Sequence, residues 1–106
     1  MSAITVARFD RRDAVDRVDV HAAALAYTKA ARAQPGVLSS RFFWEMGYDT
    51  VVVINEYETT TAMMSQPGDA VGSAYFRLAD VGRPTGLSRL IDARDAAANY
   101  QAIGRA

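Results

Sequence analysis

The chain predicts an α+β domain of order β-α-β-β-α-β with a four-stranded antiparallel sheet. Three observations carry that reading. From Asp16 to Ala33 the apolar residues fall on one face at helical spacing. From Phe42 to Thr59 the chain reads as two strands joined by a tight turn. Both faces of that hairpin are apolar, so helices must cover one side and a second layer, a second copy of the chain, the other.

The chain has 106 residues, enough for one domain with one core. Twelve basic and twelve acidic residues alternate along it and cancel. No basic stripe marks a nucleic-acid or anionic-lipid surface, and a neutral surface favours self-association. Cysteine is absent, which removes disulfides, a thiolate nucleophile and a zinc ribbon and suits a reducing, cytoplasmic setting. Met1 to Arg8 lacks the basic and apolar segments of a signal peptide, and no apolar run approaches a membrane span. Neither a nucleic-acid nor a membrane partner is expected.

Ala3 to Phe9 is a β-branched run and reads as the first strand, followed by a charged connector, Asp10 to Asp13. On the first helix Val20, Ala23, Ala24, Tyr27, Ala30 and Ala31 form the apolar stripe; Arg17, His21, Thr28 and Arg32 fall away from it. Pro35-Gly36 ends that helix. The second strand spans Val37 to Met46 and the third Thr50 to Tyr57. Thr59 to Thr61 offer hydroxyls to cap a second helix, which breaks at Gln66-Pro67-Gly68 and resumes from Asp69 to Ala79. Asp80 to Gly86 reads as a loop, and Gly86 to Asp95 as a fourth strand that closes the sheet edge. The domain is expected to occupy residues 1–96, with 97–106 as a tail.

With Tyr48-Asp49 as the turn, Arg41 faces Glu56, Phe43 faces Ile54 and Phe42 faces Asn55. One face then carries Leu38, Ser40, Phe42, Trp44, Met46, Val51, Val53, Asn55 and Tyr57 and should lie under the helices. The other carries Ser39, Arg41, Phe43, Glu45, Val52, Ile54 and Glu56, a surface suited to closing against a second sheet.

The segment Pro35-Gly36-Val37-Leu38-Ser39-Ser40-Arg41, with Glu56-Tyr57-Glu58-Thr59 ahead of the second helix, resembles the antibiotic-biosynthesis-monooxygenase group of ferredoxin-like, dimeric α+β barrel proteins. The resemblance implies a homodimer and a cofactor-independent monooxygenase acting on a phenolic or polycyclic aromatic molecule. It also implies a catalytic aromatic at the end of strand three and an Arg on helix two, here Tyr57 and Arg77, twenty positions apart. Two departures are visible: the aromatic is Tyr where the family usually has Trp, and the family's Asn position is Val53, with Asn55 two residues on along the same face. Asn55 and Arg77 would stabilise developing oxygen charge, while Phe42, Trp44, Tyr57 and Tyr75 would hold the ring. A non-catalytic small-molecule-binding or stress-related dimer of the same fold is the alternative. Haem degradation would need an axial histidine on helix two, and residues 61–79 contain none.

Each candidate also has a plainer reading. A buried Asn55 needs a partner, either a ligand or a helix backbone group or water; the ligand role is the expectation, with ligand handling outweighing stability for Asn55 and Tyr57. Trp44 and Tyr57 also read as core aromatics. Arg77 lies about 130° from the centre of its helix's apolar arc at roughly 100° per residue, which suits solvated surface. His21, the sole histidine, lies roughly 120° from the core stripe and reads as solvated. Met46, Met63 and Met64 read as core filler, and no carboxylate pair, phosphate loop or metal triad is present.

Overall fold

The computed structural model describes residues 2–94. Its elements are β1 (Ala3–Arg11), α1 (Arg17–Arg32), β2 (Val37–Trp44), β3 (Thr50–Tyr57), α2 (Thr60–Met64), α3 (Asp69–Val81) and β4 (Gly82–Ile91). The strands form one sheet in the order β2-β3-β1-β4, every neighbouring pair antiparallel. This is the expected ferredoxin-like α+β arrangement, with the second helix divided in two. The boundary expected at residue 96 and the tail 97–106 lie outside the described residues.

The helices all lie over one sheet face, the face predicted to carry Val51, Val53 and Asn55. Phe9, Val20, Ala24, Val51, Val53 and Leu78 form the core between the sheet, α1 and α3. The opposite face carries Ile4, Val6, Val52, Ile54, Phe43 and Leu90, and among the described residues no helix lies over them. Thr59 caps α2 as expected, its hydroxyl accepting from the Ala62 N–H at 3.0 Å. Gly36 ends the α1–β2 connection at φ +83°, where a Cβ would also stand 2.8 Å from the Ala62 Cβ.

Several expectations need correction. The β2–β3 turn is longer than Tyr48-Asp49: Glu45 N–H donates to the Thr50 carbonyl, so Met46 to Asp49 form the loop, with Gly47 at φ 104° and Tyr48 at φ 60°. Phe42 therefore faces Val53, Phe43 faces Val52 and Arg41 faces Ile54. A slip of two residues keeps the side chains from Ser39 to Trp44 on their predicted faces, but it dissolves the Arg41–Glu56 pair. Arg41 instead lies over the Phe43 ring, and Glu45 pairs with Arg8. The turn is clamped by Arg11 and Arg17, both donating to Asp49. The hydrogen bond from Arg11, then the charges of Arg11 and Arg17, hold the Asp49 carboxyl below its usual range against some desolvation.

β1 continues through Asp10 and Arg11, because Arg11 N–H bonds the Asp49 carbonyl. β4 begins at Gly82, inside the expected loop. Pro84 is tolerated there because β4 is an edge strand, and the register shifts between Arg8 and Phe9 opposite it. Thr28 is buried, its hydroxyl satisfied by the Leu25 carbonyl at 3.1 Å. Leu38 is exposed beside an irregularity between Val37 and Ser39. Met46 at the hairpin tip and Met64 on α2 are exposed and are not core filler.

Candidate functional site

Between the sheet and the divided helix lies a cavity of about 710 Å³, within the range of small-molecule sites. Thr5, Ala7, Val53 and Asn55 form its floor, Tyr27 and Ala31 of α1 one wall, Val71, Gly72 and Tyr75 of α3 the other. Met63, Met64 and Pro67 stand over it, and Leu87 and Arg89 of β4 line its far side. Tyr75 is wedged edge-on between Phe9 and Tyr27, with centroids 5.8 Å and 6.3 Å away, which fixes that wall.

The pairing of the strands places one polar row across this apolar floor. Ser40 faces Asn55, Asn55 faces Thr5, and Thr5 faces Arg89. The rows on either side are apolar or aromatic: Phe42, Val53, Ala7 and Leu87 on one, Val37, Tyr57, Ala3 and Ile91 on the other. Of this row Thr5, Asn55 and Arg89 border the cavity, joined by the Tyr57 hydroxyl from the next row.

Asn55 is 3% exposed and makes three side-chain bonds. Ser40 Oγ donates to its Oδ1 at 2.5 Å, and its Nδ2 donates to Tyr27 Oη at 3.0 Å and Tyr57 Oη at 3.3 Å. Its protein partners are thus three side chains and not helix backbone, and Asn55 still borders the cavity. Burial pushes the Tyr27 phenol above the ordinary tyrosine value of 10.0; the Asn55 bond opposes the rise, and Tyr57 and Tyr75 add to it.

Of the residues singled out in the sequence, Asn55, Tyr57 and Tyr75 meet at the cavity. Phe42, Trp44 and Arg77 do not line it. Phe42 and Trp44 pack instead around His21 of α1: the Trp44 indole N–H donates to His21 Nδ1 at 3.1 Å, and Phe42 meets the imidazole edge-on. His21 is therefore tied to the sheet as well as exposed. Arg77 is exposed on α3, where its helical angle placed it.

Tyr27, Ser40, Gly72 and Arg89 were not among the candidates. Tyr27 lay on the predicted core stripe, so its hydroxyl was legible but its use was not. Arg89 lies on the helix face of β4, a placement the alternation Leu87, Arg89, Ile91 provides once β4 is registered on β1. Among the described residues no group of three metal-ligating side chains is present, and no helix is long and apolar enough to cross a membrane.

No family model matches the sequence, and no curated protein matches it. Solved structures do. Rv0793 from Mycobacterium tuberculosis superposes with a TM-score of 0.73 at 18% identity, covering 86% of this chain and 94% of that one. SnoaB, a cofactor-independent oxygenase from Streptomyces nogalater, gives 0.71 at 15% identity over 85% of this chain and 91% of its own. A candidate antibiotic biosynthesis monooxygenase from Nitrosomonas europaea gives 0.69 at 10% identity, covering 84% and 86%. At such identities the likeness speaks for the fold. This chain therefore has the ferredoxin-like fold of the antibiotic-biosynthesis-monooxygenase-like proteins.

Proposed function

We propose that the chain is a cofactor-independent monooxygenase that takes a planar phenolic or polycyclic aromatic molecule into this cavity. The observation that supports it most is the cavity itself: a largely apolar lining with aromatic edges, a polar row on its floor and Gln34, Ser65 and Gln66 at its rim, in a fold shared with a cofactor-independent oxygenase. An ionised anthrone-like ring can pass an electron to dioxygen. The resulting pair forms a carbon–oxygen bond, and loss of water leaves the quinone. One oxygen atom stays in the product; the other leaves as water with two hydrogens from the substrate carbon, so no outside reductant is needed. The protein's part is to hold the ring, stabilise charge on oxygen and exclude water.

In this reading Tyr57 and Tyr75 hold the ring and the Asn55 cluster meets its oxygen. Arg89, which lines the cavity, takes the place expected of Arg77, while Phe42 and Trp44 serve the core. The chain acts as a homodimer, closing the sheet face of Ile4, Val6, Val52 and Ile54, opposite α1 and α3, against a second copy. A ligand-binding dimer without turnover is the second reading, and the position of Arg77 outside the cavity favours it.

Oxygen uptake with a panel of anthrone-like and naphthol-like compounds tests the proposal. A Cβ added at Gly72 meets nothing within 4 Å outside its own stretch of helix, so Gly72→Leu, which projects a larger side chain from the cavity wall, should narrow the cavity and lower uptake. Ligand-induced thermal shifts without uptake would select the second reading, and no shift with any compound would remove the cavity as a ligand site.

A further inference from the structure

The hydrogens of the polar cluster on the cavity floor can be assigned one by one. Ser40 Oγ and Asn55 Oδ1 are 2.5 Å apart, a separation that suits an O–H donor on oxygen and is too short for an N–H donor, whose bonds begin near 2.7 Å. The amide oxygen thus faces Ser40 and the amide nitrogen faces the phenols, at the ordinary N–H distances of 3.0 Å and 3.3 Å. An NH2 group has two hydrogens and accepts nothing. Both hydrogens go to the phenol oxygens, so Tyr27 and Tyr57 are acceptors toward Asn55 and their own hydrogens point away from it. Both residues line the cavity, and among the described residues neither hydroxyl donates to a protein acceptor.

We propose that Tyr27 and Tyr57 form a two-donor clamp for one acceptor oxygen of the bound molecule, a ketone or ionised phenol oxygen, and that Asn55 is the positioning residue that turns both hydroxyls toward it. The clamp rests on the cavity reading above and gives its ligand a chemical requirement. Asn55, engaged at both ends, does not touch the ligand; it sets the polarity of the site. An acceptor in its place would draw both phenol hydrogens inward and leave the cavity lined by lone pairs. Burial keeps the Tyr27 phenol protonated well into the alkaline range, so it remains a donor.

The test compares 9-fluorenone with fluorene, planar molecules that differ by one carbonyl. The clamp predicts that fluorenone binds the wild-type protein roughly tenfold more tightly, two neutral hydrogen bonds being worth about that factor. Its carbonyl stretch should move to lower frequency on binding. Tyr27→Phe and Tyr57→Phe should each cut the fluorenone-over-fluorene affinity ratio about threefold and together abolish it. Asn55→Asp, similar in shape but acceptor-only, should also erase the preference with both tyrosines present. Should that variant not fold, the tyrosine variants and the carbonyl frequency decide. Equal binding of the two probes with an unmoved carbonyl stretch would overturn the clamp and leave the cavity reading standing. Binding of neither would overturn both.

Discussion

Replacing Asn55 by alanine removes three side-chain hydrogen bonds from a residue that is 3% exposed. The three partners do not suffer equally. Tyr27 and Tyr57 border the cavity, where water can replace the lost amide hydrogens. Ser40 is 0% exposed, and its hydroxyl loses its acceptor with no water at hand. A buried polar group left unsatisfied costs about 1–3 kcal/mol. At about 4–8 °C per kcal/mol for a domain of this size, Asn55→Ala should lower the melting temperature by roughly 5–20 °C. The cause can be isolated, because removing both partners of a buried bond is far less costly than removing one. Ser40→Ala combined with Asn55→Ala should therefore cost clearly less than the sum of the single changes, measured by thermal melts followed by circular dichroism. A melting temperature within about 2 °C of wild type for Asn55→Ala, or strict additivity in the double variant, would refute the reasoning.

Three further outcomes are expected. Gly72→Ala should raise stability by about 0.5–1 kcal/mol, seen as a higher denaturant midpoint, since helix propensity improves and the new methyl meets no atom within 4 Å. The Tyr27 phenol ionises above its unfolded value of 10.0, so the folded chain keeps a proton that the unfolded chain releases. The associated stability is complete below that value and falls as pH rises through the folded one; alkaline melts of Tyr27→Phe should lack this component. Finally, light scattering at micromolar concentration should give twice the mass of the 11.5 kDa chain, and Ile54→Lys on the sheet face opposite α1 and α3 should shift it toward monomer.

Periodicity made most of the fold legible. The α1 stripe and the β-branched runs of β1 and β3 need no partner to be recognised, and the break at Gln66-Pro67-Gly68 follows from proline chemistry alone. The turn before β3 was harder, because its loop runs through positive φ at Tyr48 as well as at Gly47, and a tyrosine carries no signal for that conformation. The start of β4 was hidden for a related reason: Gly82, Pro84 and Gly86 have loop composition, and only an edge position makes them acceptable in a strand. The site was legible where it depended on strand parity, which put Asn55 and Tyr57 on the helix face. It was not legible where it depended on which part of that face the helices leave open. Phe42 and Trp44 share the face with Asn55, yet α1 and His21 close over them while the cavity forms beside Tyr27.

The short helix α2 stands over the cavity with no buried residue. Its capping bond from Thr59, the bond from Gly68 N–H to Gln34 Oε1 at 2.7 Å and the close approach of Gly36 to Ala62 fix its position from its ends and its back. Met63, Met64 and Gln66 border the cavity without belonging to the core, and substitutions at such surface positions usually change stability by no more than about 0.5 kcal/mol. Asn55 serves the fold and the cavity floor together, whereas residues 63–66 shape the cavity mouth with little stake in the core. Descendants of this sequence could exchange one aromatic ligand for another through a handful of neutral steps in residues 63–66, with the sheet, α1 and α3 left as they are.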